Sequence, residues 1–492
     1  MSKNRLASLP ALLLTALALS ASATLASAQV PSPTLEGPIA GPGTPFVAGT
    51  GFDLAPLGYA QQEYFIAGTA RAFTNAGPLE PDGVWEAVPG ETADYTTRIL
   101  VHRPMQRGRF NGTVIVEWFN VSGGLDASPD WTTAHTELIR RGYAWVGVSA
   151  QFVGVEGGGG IGGLPDFSLK SINPARYGAL VHPGDSFSYD IFSQAARAIR
   201  EPSGVSPLGD LKIARVIAVG ESQSAFRLVT YINAIHPLAG LYDGFLVHSR
   251  AATSAPLSQE PQPAIPAPSV VWIRPDLDVP VLTFQTETDL TLLRSFFSRQ
   301  PDTARHRLWE VAGTAHADTY TLLVGATDLG DSPEVADLVI TASPIPGILE
   351  CGEPVNSGPQ HWVLKAAFRA LERWVRLGTP PASAPRLEVS ADPEPVIARD
   401  AHGNALGGIR TPQVDVPIAT LSGEGQVGSI LCLLFGTTVP FDDALLAELY
   451  PSPRAYRKAF GQATRRAVRA GWILRPDARL MLRFVKTSSI GD

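Results

Sequence analysis

The chain has 492 residues, a formal net charge of −7 and only 17% charged residues. That length can bury a large core, and the acidic balance gives no electrostatic reason to bind nucleic acid. The 47 glycines and 42 prolines imply many loops, and with neither CxxC nor HExxH in the chain no metal or other cofactor is expected.

In chain order, Lys3 and Arg5 precede an apolar run at 9–19 and the small residues Ala26-Ser27-Ala28, the pattern of a secretory signal over 1–28. The mature chain is then expected to start near Gln29 and to be exported, to the periplasm or outside the cell. No later run has 18 apolar residues, so no membrane span is expected in it. Residues 29–58 read as a poorly ordered Pro/Gly-rich lead-in. Residues 63–73 and 95–102 are rich in aromatic and β-branched residues and read as an antiparallel start to a sheet.

From residue 111 strands alternate with helices. Strands are expected at 113–119, 143–149, 213–219, 244–248, 279–285 and 307–311. Helices are expected at 131–141, 186–200, 223–235 and 361–377. This alternation predicts an α/β fold over 59–378, a mostly parallel sheet covered on both faces. Loop insertions interrupt it at 151–184, which holds four consecutive glycines from Gly157, and at 250–278, rich in Pro and Ala. Residues 379–492, with helical stretches at 445–450 and 453–470, read as a C-terminal subdomain packed on the core. Cys351 and Cys432 allow a single pairing, and in an exported chain they are expected to form a disulfide.

The strongest chemical signal is Gly220-Glu221-Ser222-Gln223-Ser224, where a buried strand turns directly into a helix. Such a turn lifts a serine hydroxyl clear of the sheet, provided that the flanking residues are small. Ser224 departs from the usual glycine but is still small. A second match, Gly147-Val148-Ser149-Ala150, runs into a glycine-rich loop instead of a helix and is set aside. Ser222 is thus the expected nucleophile. It needs a base, and His316 follows the last strand of the alternating region. The orienting acid should follow the preceding strand, where Asp289 is favoured and Glu287 is the alternative. Oxyanion donors are expected at the Gln223 N–H and, after the strand at 113–119, at the Val121 or Ser122 N–H. Two Asn-x-Ser/Thr matches, at Asn111 and Asn120, are read as chance.

Five phrases together resemble a family of exported bacterial proteins described as containing an α/β-hydrolase domain. They are Glu117-Trp118-Phe119-Asn120-Val121-Ser122-Gly123-Gly124, Gly220-Glu221-Ser222-Gln223-Ser224-Ala225, Gln285-Thr286-Glu287-Thr288-Asp289, Gly313-Thr314-Ala315-His316-Ala317-Asp318 and Gly407-Gly408-Ile409-Arg410-Thr411-Pro412. The resemblance runs from about residue 59 to 475 and implies an α/β-hydrolase fold with a Ser–acid–His triad. The expected activity is hydrolysis of a small-molecule carboxylic ester through an acyl-enzyme. An amidase or peptidase with the same triad, or a binding protein on a hydrolase scaffold, are the alternatives.

Overall fold

The computed structural model describes residues 30–391 and 393–491, so the expected export signal lies outside the described residues. The central sheet has nine strands in the order β1-β2-β3-β5-β4-β6-β7-β8-β9. In chain order these are β1 (Thr34–Glu36), β2 (Tyr59–Asn75), β3 (Ala87–Pro104), β4 (Thr113–Trp118), β5 (Ala144–Val148), β6 (Arg215–Glu221), β7 (Gly244–His248), β8 (Val281–Gln285) and β9 (His306–Glu310). The first three are antiparallel and β3 runs antiparallel to β5; every pairing from β5 onward is parallel.

The parallel strands are buried on both sides, which is why they read as continuous apolar runs. On β6, Val216 and Ala218 face one core and Ile217 and Val219 the other, as the twofold side-chain period requires. The first core is filled by helices α2 (Ser188–Arg200) and α3 (Gln223–Thr230), through residues such as Phe192, Ala195 and Leu228. The second is filled by α1 (Pro129–Arg140) and α4 (Gln360–Leu377), through Trp131, Leu138, Phe368 and Trp374.

Strand β4 is flanked by β5 on one side and β6 on the other. The chain therefore reverses its direction of travel across the sheet at β4. In open α/β sheets the crevice at the carboxyl ends of two such strands is where ligands bind.

The stretch expected as a loose lead-in contributes the edge strand β1, which pairs Thr34–Glu36 with Phe65, Ile66 and Ala67 of β2. A three-residue edge strand is too short to show an alternating pattern. β2 and β3 extend well past the expected runs, with a register shift between Arg71 and Phe73. Toward the C-terminus α5 (Pro453–Ala470) and α6 (Arg475–Lys486) enclose a separate cluster of Tyr456, Phe460, Met481 and Val485, which also takes in Trp362 of α4. Cys351 and Cys432 form a disulfide.

A fully buried ionic network ties the antiparallel strands to the loop after β4. Arg98 donates to Glu63 at 2.9 Å, to Asp126 at 2.8 Å and, through Nε, to Ser149 Oγ at 3.0 Å. Ser149 Oγ donates in turn to Asp126 at 2.5 Å, and Arg176 holds the second Glu63 oxygen at 2.7 Å. The discarded second serine thus has a structural part to play. Removing one partner of such a network leaves uncompensated buried charge. Arg98→Leu is expected to lower the unfolding free energy by about 3–5 kcal/mol, measured by urea denaturation. A variant as stable as the parent would show that the network contributes nothing.

Candidate active site

β6 ends at Glu221 and α3 begins at Gln223, leaving Ser222 alone in the turn with φ 56° and ψ −122°. Such backbone costs of order 1–3 kcal/mol in a residue with a Cβ and is retained only where the surroundings enforce it. Here the Ser222 N–H donates to His248 O at 2.9 Å, and Phe226 N–H donates to Ser222 O at 3.0 Å. A Cβ on Gly220 would come within 3.0 Å of Ser224 O, so strand and helix do nearly touch. That contact is with the backbone of Ser224. Its side chain is free to turn away, and Ser224 Oγ, fully buried, donates to Glu221 O at 2.8 Å. A serine is therefore accommodated where glycine is usual.

The structure brings Ser222, His316 and Asp289 together. The Ser222 hydroxyl lies 2.7 Å from His316 Nε2, and His316 Nδ1 lies 2.6 Å from Asp289 Oδ1. His316 sits on the loop after β9. That loop is held by Gln360 Nε2 donating to Ala315 O and by the His316 N–H donating to Thr288 Oγ1. Asp289 is the third residue of the short helix Glu287–Thr291 and forms a capping box with Thr286, whose N–H donates to Asp289 Oδ2 at 2.7 Å. Its other oxygen is left facing the imidazole. Burial pushes the Asp289 carboxyl up, but the charge of His316 and the hydrogen bonds with His316 and Thr286 together outweigh burial and hold it below its ordinary value. Burial pushes His316 down, and Asp289 and Glu221 together outweigh it.

Glu287 does not reach the imidazole. It accepts from the Gly313 N–H at 2.6 Å, the Gly423 N–H at 3.1 Å and Arg399 at 3.1 Å. It buttresses the loop that carries His316 against the C-terminal part of the chain.

The loop after β4 packs against the turn that carries Ser222. Asn120 Nδ2 donates to Glu221 O at 3.1 Å and to Glu221 Oε2 at 2.9 Å, while Asn120 Oδ1 accepts from the Ser122 N–H at 2.8 Å. The Ser122 N–H is therefore engaged within its own turn, which corrects its expected availability as an oxyanion donor. The Val121 N–H has no such acceptor among the described residues. The Gln223 N–H, at the first position of a helix, has no intrahelical acceptor. Asn120 is 7% exposed, in keeping with reading its glycosylation match as chance. The glycine run of the 151–184 insertion packs on this loop backbone to backbone. The Ile161 N–H donates to Ser122 O at 2.8 Å, and a Cβ on Gly160 would come within 2.7 Å of Gly123 C. At Gly160 only glycine allows that contact.

Glu221 and Asn120 stand inside the motif phrases, yet their pairing comes from the fold. So does the second buried pair, His248 Nδ1 with Asp130 Oδ1 at 3.0 Å. His248 is the last residue of β7, and its partner arrives from α1, far upstream. Among the described residues no group of three or more His, Cys, Asp or Glu side chains gathers as a metal site.

A serine in a strained strand-to-helix turn, at the switch point of a parallel sheet with helices on both faces, is the architecture of α/β hydrolases. A family model described as an alpha/beta hydrolase domain matches residues 29–483, and the chain belongs to that family. No curated protein sequence matches it. Among solved structures it is similar to a glucuronoyl esterase from Teredinibacter turnerae T7901, at 11% identity over 57% of this chain and 74% of that one, with a TM-score of 0.26. A glucuronoyl esterase from Solibacter usitatus aligns at 8% identity over 51% and 76%, TM-score 0.26. A dienelactone hydrolase from Anabaena variabilis ATCC 29413 aligns at 10% over 49% and 85%, TM-score 0.25. Coverage of a further structure, from Bacteroides fragilis NCTC 9343, is 66% of its length, just under two thirds.

Proposed function

We propose that the protein is a serine hydrolase that cleaves a small-molecule carboxylic ester through an acyl-enzyme on Ser222. The observation that carries the reading is the unbroken hydrogen-bonded line Asp289–His316–Ser222, with links of 2.6 and 2.7 Å. In the first step the Ser222 oxygen attacks the ester carbonyl while its proton passes to His316 Nε2. The carbonyl electron pair moves onto oxygen, and the Gln223 and Val121 N–H groups donate hydrogen bonds to that oxyanion. His316 then gives the proton to the departing alcohol oxygen as the C–O bond breaks. Water repeats the sequence on the acyl-enzyme, with His316 again as base. Asp289 fixes the tautomer that leaves Nε2 free to accept a proton.

The disulfide Cys351–Cys432 supports an oxidising compartment for the mature chain. No helix among the described residues is long and apolar enough to cross a membrane.

The test is covalent labelling with a fluorophosphonate, followed by peptide mass spectrometry. One equivalent of label on the peptide that carries Ser222 is expected, together with turnover of an aryl ester far faster than of the matched amide. An unlabelled, inactive protein would overturn the reading, and preferred turnover of the amide would replace esterase by amidase.

A further inference from the structure

Ser222 is preceded by a carboxyl group that the mechanism above does not use. Glu221 Oε1 lies 3.4 Å from His316 Nε2, the same nitrogen that meets the Ser222 hydroxyl. Its side chain is only 8% exposed. It is held in place by Asn120 Nδ2 on Oε2 at 2.9 Å, and Asn120 is itself fixed by the Ser122 N–H. A glutamate left to itself would turn toward water, so this orientation is built.

We propose that Glu221 is a positioning residue for His316: its carboxylate steadies the imidazolium from the Nε2 side while Asp289 steadies it from the Nδ1 side. The inference rests on the serine-hydrolase reading above. During acylation the Oγ–H bond breaks, the proton passes to Nε2, and the Oγ–C bond forms as the carbonyl pair moves onto oxygen. Glu221 bonds to none of these atoms. It acts only on the positive charge that appears on the ring, which then lies between two carboxylates.

The groups facing Glu221 act in opposite senses. His316 and His248 favour its charge, and Asp130 and Asp289 oppose it. Burial, joined by Asp130 and Asp289, outweighs the two histidines and raises the carboxyl to about 7. It therefore changes charge near neutral pH, and at 3.4 Å from His316 Nε2 each group alters the other's hold on its proton. Full activity requires His316 to be unprotonated and Glu221 to be ionised. Below both titrations two protons must leave, so the acid limb of log kcat/KM against pH is expected to steepen beyond 1, toward 2, at its low-pH end in the native enzyme.

The experiment is the pH profile of aryl-ester kcat/KM and of fluorophosphonate labelling rate, in the native enzyme and in Glu221→Gln. The variant keeps the shape and loses the charge. Its limb is expected to fall to a slope of 1 and its plateau to drop about tenfold, as for a fall of roughly one unit in the basicity of His316. A merely structural defect would lower the plateau and leave the slope. A Glu221→Gln limb with the midpoint and slope of the native one overturns the proposal. Native enzyme that takes no label at any pH would strike instead at the serine-hydrolase reading.

Discussion

Ser222→Ala is expected to lower kcat for an aryl ester by about 10⁴- to 10⁶-fold while leaving the thermal midpoint unchanged. The two halves of this expectation have different causes. The hydroxyl's recorded partner is His316, and without it the oxyanion donors and the binding surface are all that remain for catalysis. The backbone bonds that fix the turn, Ser222 N–H to His248 O and Phe226 N–H to Ser222 O, do not involve the side chain. Alanine has the same Cβ as serine, so the strain at φ 56° is neither relieved nor increased. Ser222→Gly makes the contrast. Glycine adopts positive φ without penalty, so this variant should be equally inactive and at least as stable. Both are checked by steady-state kinetics and a thermal melt. An alanine variant within about tenfold of the native rate, a barrier change of only about 1.4 kcal/mol, would remove Ser222 from the chemistry.

The sequence makes the parallel half of the fold legible because β4 to β9 are buried on both faces and their strands are apolar runs bounded by turn formers. The turn at Ser222 is legible for a related reason: Gly220 is required by a backbone contact that the strand-to-helix junction itself imposes. Less visible are features whose partners lie far apart in the chain. Glu63, Arg98 and Asp126 look like three unrelated charges until β2 pairs with β3 and the loop after β4 folds over them. Strand β1 carries three residues and no periodicity. Asn120 and Glu221 are 101 positions apart, and only the adjacency of β4 and β6 joins them. Ser122 looked as suitable a donor as Val121 because the sequence does not reveal that Asn120 folds back onto its N–H.

The choice between two acids two residues apart turns on which hydrogen bonds each already makes, and it yields the second large expected effect. In Asp289→Asn the Thr286 N–H, 2.7 Å from Oδ2, requires an acceptor and so selects the amide orientation with oxygen toward Thr286. The amide NH2 then faces His316 Nδ1, where a carboxylate oxygen stood at 2.6 Å. Facing a donor, Nδ1 must become the acceptor, and the ring proton moves to Nε2. An Nε2 that already carries a proton cannot take one from Ser222. The loss expected from this tautomer error is about 10⁴-fold in kcat, with KM little changed. Glu287→Gln is expected to behave differently. Glu287 accepts from Gly313, Gly423 and Arg399, and all three are donors. An amide has one oxygen to offer them, so at least one buried donor loses its partner, at about 1–3 kcal/mol of stability. The ring of His316 keeps its tautomer, so kcat should fall far less than in Asp289→Asn. Kinetics and urea midpoints on both variants separate the two roles: an inactive but stable Glu287→Gln beside an active Asp289→Asn would exchange them.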